Sequence, residues 1–180
     1  MSLDRAIPPN PYSFLPPVPE FTLTSDDVAD GEQIGVEFLF PDTVAGAGNL
    51  SPQLSWSGFP AETASFAVTC FDPDAPVPSG FWHWAMGNLA ADVTSLPRGA
   101  GAADVDLGSA VVLRSDWGSY GYGGPQPPQG DRVHRYYFVV HAVDIPSLEI
   151  DNAVSPAVLS FNLAFHTLAR ATIVPTYLRP

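Results

Sequence analysis

Apolar and polar positions alternate with a period of two in several short runs, the signature of strands that bury one face. Ile34, Val36, Phe38 and Phe40 alternate with Gln33, Gly35, Glu37 and Leu39, and Phe66, Val68 and Cys70 alternate with Ala67, Thr69 and Phe71. Further apolar runs at Leu54 to Trp56, Phe81 to Leu89, Ala110 to Leu113 and His134 to Val143 bring the expectation to six or seven strands, each bounded by Gly, Pro, Asn or Asp. Trp56, Phe66, Val68 and Phe138 are the expected inter-sheet core. One segment follows a helical period instead: Ser155 and Pro156 give an N-cap and first-turn signal, and Val158, Phe161, Phe165, Leu168 and Ala169 recur at helical spacing to about Thr172. Many strands with a single late α-helix predict a mainly β protein, a two-sheet antiparallel β-sandwich with the helix packed at one edge.

The first twenty residues differ. Prolines at 8, 9, 11, 16, 17 and 19 block helix and central strand, so residues 1–20 read as a proline-rich N-terminal arm and residues 21–180 as a single domain. A length of 180 residues, 46% of them hydrophobic, suits that division.

Charge narrows the function. All seven basic residues are Arg, so lysine chemistry is excluded, including Schiff bases and a Walker A phosphate loop. A net charge of −12 argues against nucleic acid and against anionic membrane surfaces. The single cysteine, Cys70, allows no internal disulfide and reads as a small core residue. Residues 1–19 show no basic start or apolar block of a secretory signal, and no apolar run approaches a membrane span, so the expectation is a cytoplasmic protein without an integral membrane segment.

With only 14% charged residues, polar clusters among apolar strands stand out. Asp72-Pro73-Asp74-Ala75-Pro76 follows a strand and holds two carboxylates in a stiff loop, either as a binding element or as a turn whose Asp caps backbone amides. Phe81-Trp82-His83-Trp84 as a regular strand places His83 on the face opposite Trp82 and Trp84. His134-Arg135-Tyr136 opens another strand, with His134 and Tyr136 on one face and Arg135 on the other. Between them runs Gly121-Tyr122-Gly123-Gly124-Pro125-Gln126-Pro127-Pro128-Gln129-Gly130, a loop whose backbone could approach a ligand closely or simply cross the surface. His141 and His166 read as structural.

In order and spacing, Asp72-Pro73-Asp74-Ala75-Pro76, then His83, then the Gly/Pro loop, then His134-Arg135-Tyr136, resembles the phosphatidylethanolamine-binding protein family, also called the Raf kinase inhibitor protein family. Ser51-Pro52-Gln53-Leu54-Ser55-Trp56 and Phe81-Trp82-His83-Trp84 are in the style of its bacterial branch, and the likeness runs from about Phe21 to Tyr177. Two positions depart from it: Arg132 stands where the family often has Gly, and Gln126 lies where many bacterial members have Cys.

The resemblance implies a pocket at the strand ends for a phosphate-like anion or a phospholipid head group, formed by Asp72, Asp74, His83, His134 and Tyr136, with Gly123, Gly124 and Pro125 supplying a wall. It further implies a homodimer and a part in regulating a kinase, a protease or a lipid process. No cofactor or metal is expected. The resulting expectation is a non-catalytic binding protein. The alternative is a phosphoester hydrolase that uses the same Asp and His side chains with a metal ion or as acid and base.

Overall fold

The computed structural model describes residues 3–180. The elements in chain order are a 3₁₀ turn (Pro11–Phe14), β1 (Thr22–Thr24), a second 3₁₀ turn (Val36–Phe38), β2 (Leu54–Ser57), β3 (Ser65–Asp72), β4 (Phe81–Ala90) and β5 (Ser95–Leu96). There follow β6 (Val111–Val112), β7 (His134–Arg135), β8 (Tyr137–Val143), α1 (Pro156–His166), β9 (Thr167–Ile173) and β10 (Thr176–Tyr177). A five-stranded sheet ordered β6-β4-β3-β8-β9 faces a three-stranded sheet ordered β1-β2-β5, and β10 pairs with β7 in a small ribbon. Every pairing between these strands is antiparallel.

The alternation in β3 explains the layering. Phe66, Val68 and Cys70 point into the main core with Trp84, Met86, Leu89, Phe138 and Val140 of the same sheet and with Leu54, Trp56 and Leu96 of the other. Ala67 points the opposite way and meets Ala85, Val143, Leu148 and the α1 residues Leu159 and Leu163. Both faces of the larger sheet are therefore dry, which is why β3 and β8 are buried almost end to end. The expected core residues Trp56, Phe66, Val68 and Phe138 are all at or below 3% exposure.

Several local expectations are corrected. The run from Ile34 to Phe40 is not a strand: Val36–Phe38 form a 3₁₀ turn, with Ile34, Phe38 and Leu39 buried and Val36 exposed. Its backbone is satisfied at separate places, Ile34 N–H on the Thr176 carbonyl of β10 and Phe40 N–H on the Pro125 carbonyl, and the bridge to β10 at Gln33 does not extend into a ladder. The late helix stops at His166, because Thr167–Ile173 pairs with β8 over its length and that ladder overrides the helical spacing of Leu168 and Ala169. Its inner face is Pro156, Leu159 and Leu163, while Val158, Phe161 and Phe165 face outward. The helix lies on the outer face of the five-stranded sheet, not at an edge. The long run from His134 to Val143 is split at Tyr136, where the chain leaves the β10 ribbon and joins β3.

The arm lies along the body. Proline removes its amide donors but leaves carbonyls, and three arginines bind them: Arg132 at Arg5, Arg135 at Pro8 (2.7 Å) and Arg170 at Pro16 (2.9 Å). Among the described residues no helix is long and apolar enough to cross a membrane.

Candidate functional site

Because β3 pairs antiparallel with both β4 and β8, its last residues stand beside the first residues of each, with Asp72 opposite Phe81 and Phe71 opposite Tyr137. This crossing gathers the polar motifs. Asp72, His83, His134 and Tyr136 line one cavity of about 200 Å³, closed on its other sides by Phe81, Trp117, Gln126, Pro127, Pro128 and the Ala75-Pro76-Val77 ridge.

Each side chain has a local reason for its position. One oxygen of Asp72 accepts from the backbone N–H groups of Asp74 (2.7 Å) and Ala75 (3.1 Å), so the loop after β3 folds back over the carboxylate. The other meets His134 Nδ1 at 2.7 Å. His83 sits at a β-bulge, where Cys70 pairs with Trp84 and Phe71 pairs with Trp82, leaving His83 without a partner across the ladder. The extra residue breaks the alternation expected for Phe81-Trp82-His83-Trp84. His83 turns with Phe81 toward the cavity and packs edge-on to Tyr136, while Trp82 packs against Phe71.

Gln126, Pro127 and Pro128 of the glycine- and proline-rich loop wall the cavity, whereas Gly123, Gly124 and Pro125 lie behind the wall and hold His83 in place. Gly123 N–H donates to the His83 carbonyl (2.8 Å) and His83 Nδ1 donates to the Gly123 carbonyl (2.6 Å). A Cβ at Gly123 would strike the Trp117 ring, and one at Gly124 would strike the backbone of Phe38 and Phe40, so both positions require glycine for close approach. Gly124 N–H donates to Asn49 (2.8 Å), and the Pro125 carbonyl accepts from Phe40 N–H (3.1 Å). Asp74 also lies outside the cavity. It is buried and grips Arg135, through Nε (2.7 Å), Nη2 (3.0 Å) and the backbone N–H (3.1 Å), bracing β7 from the side away from His134.

Asp131, which the sequence reading did not single out, meets His134 Nε2 at 3.0 Å. It stands three residues before His134, a spacing that could have nominated it. Both ring nitrogens of His134 are thus committed to carboxylates. Burial lowers the affinity of His134 for its proton, but the hydrogen bond and charge of Asp72, then those of Asp131, outweigh it and raise its pKa. A carboxylate oxygen faces each ring nitrogen, so the protonated ring donates at both and has no N–H left for a ligand. Asp131 is held well below the usual carboxylate range, chiefly by its hydrogen bonds from Arg5 against the opposing effect of burial.

His83 behaves in the opposite way. Burial lowers its pKa despite the charge of Asp72 and the Gly123 carbonyl, so the ring is neutral with its proton on Nδ1 and a lone pair on Nε2. Burial, reinforced by Asp72, pushes the Tyr136 phenol well above its ordinary value, which keeps it an O–H donor. That hydroxyl is fully buried and has no hydrogen-bond partner among the described residues. Trp56 Nε1, Trp84 Nε1 and Arg170 Nη1 share that condition, but none of these residues lines the cavity. Among the described residues no group of three His, Cys, Asp or Glu side chains is arranged to hold a metal ion. The lining has no hydroxyl or thiol except that of Tyr136.

The family model described as phosphatidylethanolamine-binding protein matches residues 24–178. The UPF0098 protein YbhB of Escherichia coli (strain K12) is 44% identical over 156 residues, which cover 86% of this chain and 98% of that protein. The crystal structure of E. coli YbcL, described as a member of the mammalian PEBP family, superposes with a TM-score of 0.83 at 42% identity, covering 88% of this chain and 98% of the other. A phosphatidylethanolamine-binding protein homolog from Chlamydia trachomatis gives a TM-score of 0.73 at 31% identity, covering 89% and 99%. The match over nearly the whole sandwich, joined to close bacterial relatives, places the chain in the phosphatidylethanolamine-binding protein family.

Proposed function

We propose that the cavity binds a phosphate-type anion, either a phosphate monoester or the phosphorylated head group of a phospholipid. The observation that carries this reading is the Tyr136 hydroxyl, a buried donor without a hydrogen-bond partner among the described residues, on a side chain that lines the cavity. A buried donor left unpaired costs about 1–3 kcal/mol, so a ligand that accepts from it recovers that cost. The volume, about 200 Å³, is below the roughly 300–1,000 Å³ of pockets for drug-sized ligands and suits a head group.

Net charge of the chain does not oppose an anion here. Around the cavity, Asp72, Asp74 and Asp131 are each paired, with the His134 ring, Arg135 and Arg5 respectively. Distant carboxylates are screened. A phosphate oxygen would accept from Tyr136. A second oxygen would meet His83 Nε2, either by donating the proton of a monoanionic phosphate or by accepting from a protonated ring. Both forms hold one more proton than the empty site with a dianion, so binding takes up a proton and strengthens as pH falls.

Phe81, Trp117 and the prolines would contact the organic substituent. Any part in regulating a kinase, a protease or a lipid process would act through occupancy of this cavity. Calorimetry with phosphate and with phosphoethanolamine at pH 6 and pH 8, in two buffers of different ionisation enthalpy, tests the reading. Saturable binding, tighter at pH 6 and with proton uptake, is expected. Absence of saturable binding at pH 6, or an affinity indifferent to pH, overturns it.

A further inference from the structure

We infer that Arg5, on the N-terminal arm, is a positioning residue of this cavity: by gripping both oxygens of Asp131 it keeps that carboxylate against His134 Nε2. Arg5 Nη1 donates to Asp131 Oδ1 (2.9 Å) and Nη2 to Asp131 Oδ2 (2.8 Å). Oδ2 is the same oxygen that meets His134, and Oδ1 also accepts from the Arg132 N–H (2.8 Å). The guanidinium is anchored in turn by the carbonyls of Leu3 (2.7 Å) and Asp74, and the Arg5 carbonyl accepts from Arg132. A planar fork on a carboxylate fixes its orientation as well as its charge.

Asp131 needs this support. It sits in the turn at Gly130 before β7, with only 8% of its surface exposed. Without Arg5 the carboxylate would keep only the Arg132 N–H and the His134 ring, would recover hydration by rotating toward solvent, and His134 would lose its Nε2 partner. The groups that face His134 are Asp72 from the end of β3, Asp131 from the turn before β7, and Tyr136 from the break between β7 and β8, with His83 behind Tyr136 and Arg5 behind Asp131. Arg5 is the cation that joins the arm to this set. Docking of the arm and the charge of the cavity are therefore linked through one side chain. No local pattern signals this, since Arg5 lies 126 residues from Asp131 in a segment whose prolines predict only an extended arm.

Two effects of removing Arg5 have opposite signs, and this makes the inference testable. Loss of its positive charge alone would make His134 easier to protonate. Loss of the Asp131 contact that Arg5 holds in place would make it harder. NMR titration of histidine-labelled protein without ligand, for the wild type, Arg5→Gln, Arg5→Lys, Asp131→Asn and the Arg5→Gln/Asp131→Asn pair, reads the sign directly. The His134 midpoint should fall in Arg5→Gln and in Asp131→Asn, fall no further when the two are combined, and recover in part in Arg5→Lys. A midpoint that rises or stays in Arg5→Gln overturns the inference.

A second readout rests on the proposed anion binding. Phosphate should bind Arg5→Gln about three- to tenfold more weakly than wild type at pH 7.5, with the loss shrinking at pH 5.5, where His134 is protonated in both proteins. Should wild type fail to bind phosphate while Arg5→Gln still lowers the His134 midpoint, the anion reading falls and the role of Arg5 stands. Should phosphate bind while the midpoint does not fall, the reverse holds.

Discussion

Replacing Tyr136 by Phe removes a single oxygen and should move stability and binding in opposite directions. The ring is fully buried and packs edge-on to His83 at 5.2 Å between centroids and face-to-face with His134 at 6.5 Å, so Phe keeps the shape of the site. The lost hydroxyl has no hydrogen-bond partner among the described residues. An unsatisfied buried donor costs about 1–3 kcal/mol, and the lost oxygen leaves a small gap that offsets part of this, so the variant without phosphate should gain about 1 kcal/mol. For a chain of this size that raises the melting temperature by roughly 2–4 °C, whereas an average substitution lowers it. Binding should suffer. A hydrogen bond to a charged acceptor is worth about 1.5–3 kcal/mol, which weakens phosphate affinity by about 10- to 100-fold. Urea unfolding in phosphate-free buffer and again at saturating phosphate is the assay, because ligand at 100 times its dissociation constant stabilises the native state by about 2.7 kcal/mol. The two stability curves should cross: Tyr136→Phe more stable without phosphate, wild type more stable with it. A variant that loses more than about 1 kcal/mol without phosphate and binds phosphate as well as wild type would refute the reasoning, since the hydroxyl would then have an internal partner.

Asp74→Ala leaves Arg135 without its carboxylate. With the Arg135 side chain about a quarter exposed, the usual cost of breaking a buried pair is reduced to about 2–3 kcal/mol by urea unfolding, while phosphate affinity changes little because Asp74 is outside the cavity. On α1, Leu159→Ala should cost about 2–5 kcal/mol and Phe165→Ala less than about 0.5 kcal/mol, since the first is fully buried and the second is 70% exposed. His141 is buried against Thr167, and desolvation, with the nearby charge of Arg170, lowers its pKa to about 3. The unfolded chain therefore binds a proton that the native state refuses. Stability is full above about pH 6.5 and falls as the pH drops toward 3, and His141→Gln should flatten that acid limb in urea midpoints measured from pH 7 to pH 4.

Local periodicity was sufficient wherever a segment's partners lie symmetrically on both sides. The alternation of Phe66, Val68 and Cys70 specified a strand with a dry face, and β3 is the central strand of the larger sheet. It was insufficient where a single backbone contact elsewhere decided the outcome. Ile34 to Phe40 alternates as cleanly, yet its amides end on Thr176 and Pro125 and the segment turns. The helix carries apolar residues on two faces, and only the position of Leu148 and Ala85 beneath Leu159 and Leu163 selects the buried one.

The sequence by itself determined which residues could carry chemistry. In a chain poor in charge, Asp72, His83, His134 and Tyr136 stood out among apolar strands, and strand ends are where antiparallel pairing brings distant residues together. Tertiary structure decided what each residue does there. A bulge that no periodicity encodes turned His83 into the cavity, Asp74 was drawn away by Arg135, and Gly123 came to hold a ring instead of a ligand. His134 holds its proton more tightly because carboxylates from the end of β3 and from the turn before β7 reached its two nitrogens, one of them held by Arg5 on the arm. The protonation state of a buried group is set by its neighbours in space, at a few ångströms, and chain order gives no measure of that distance.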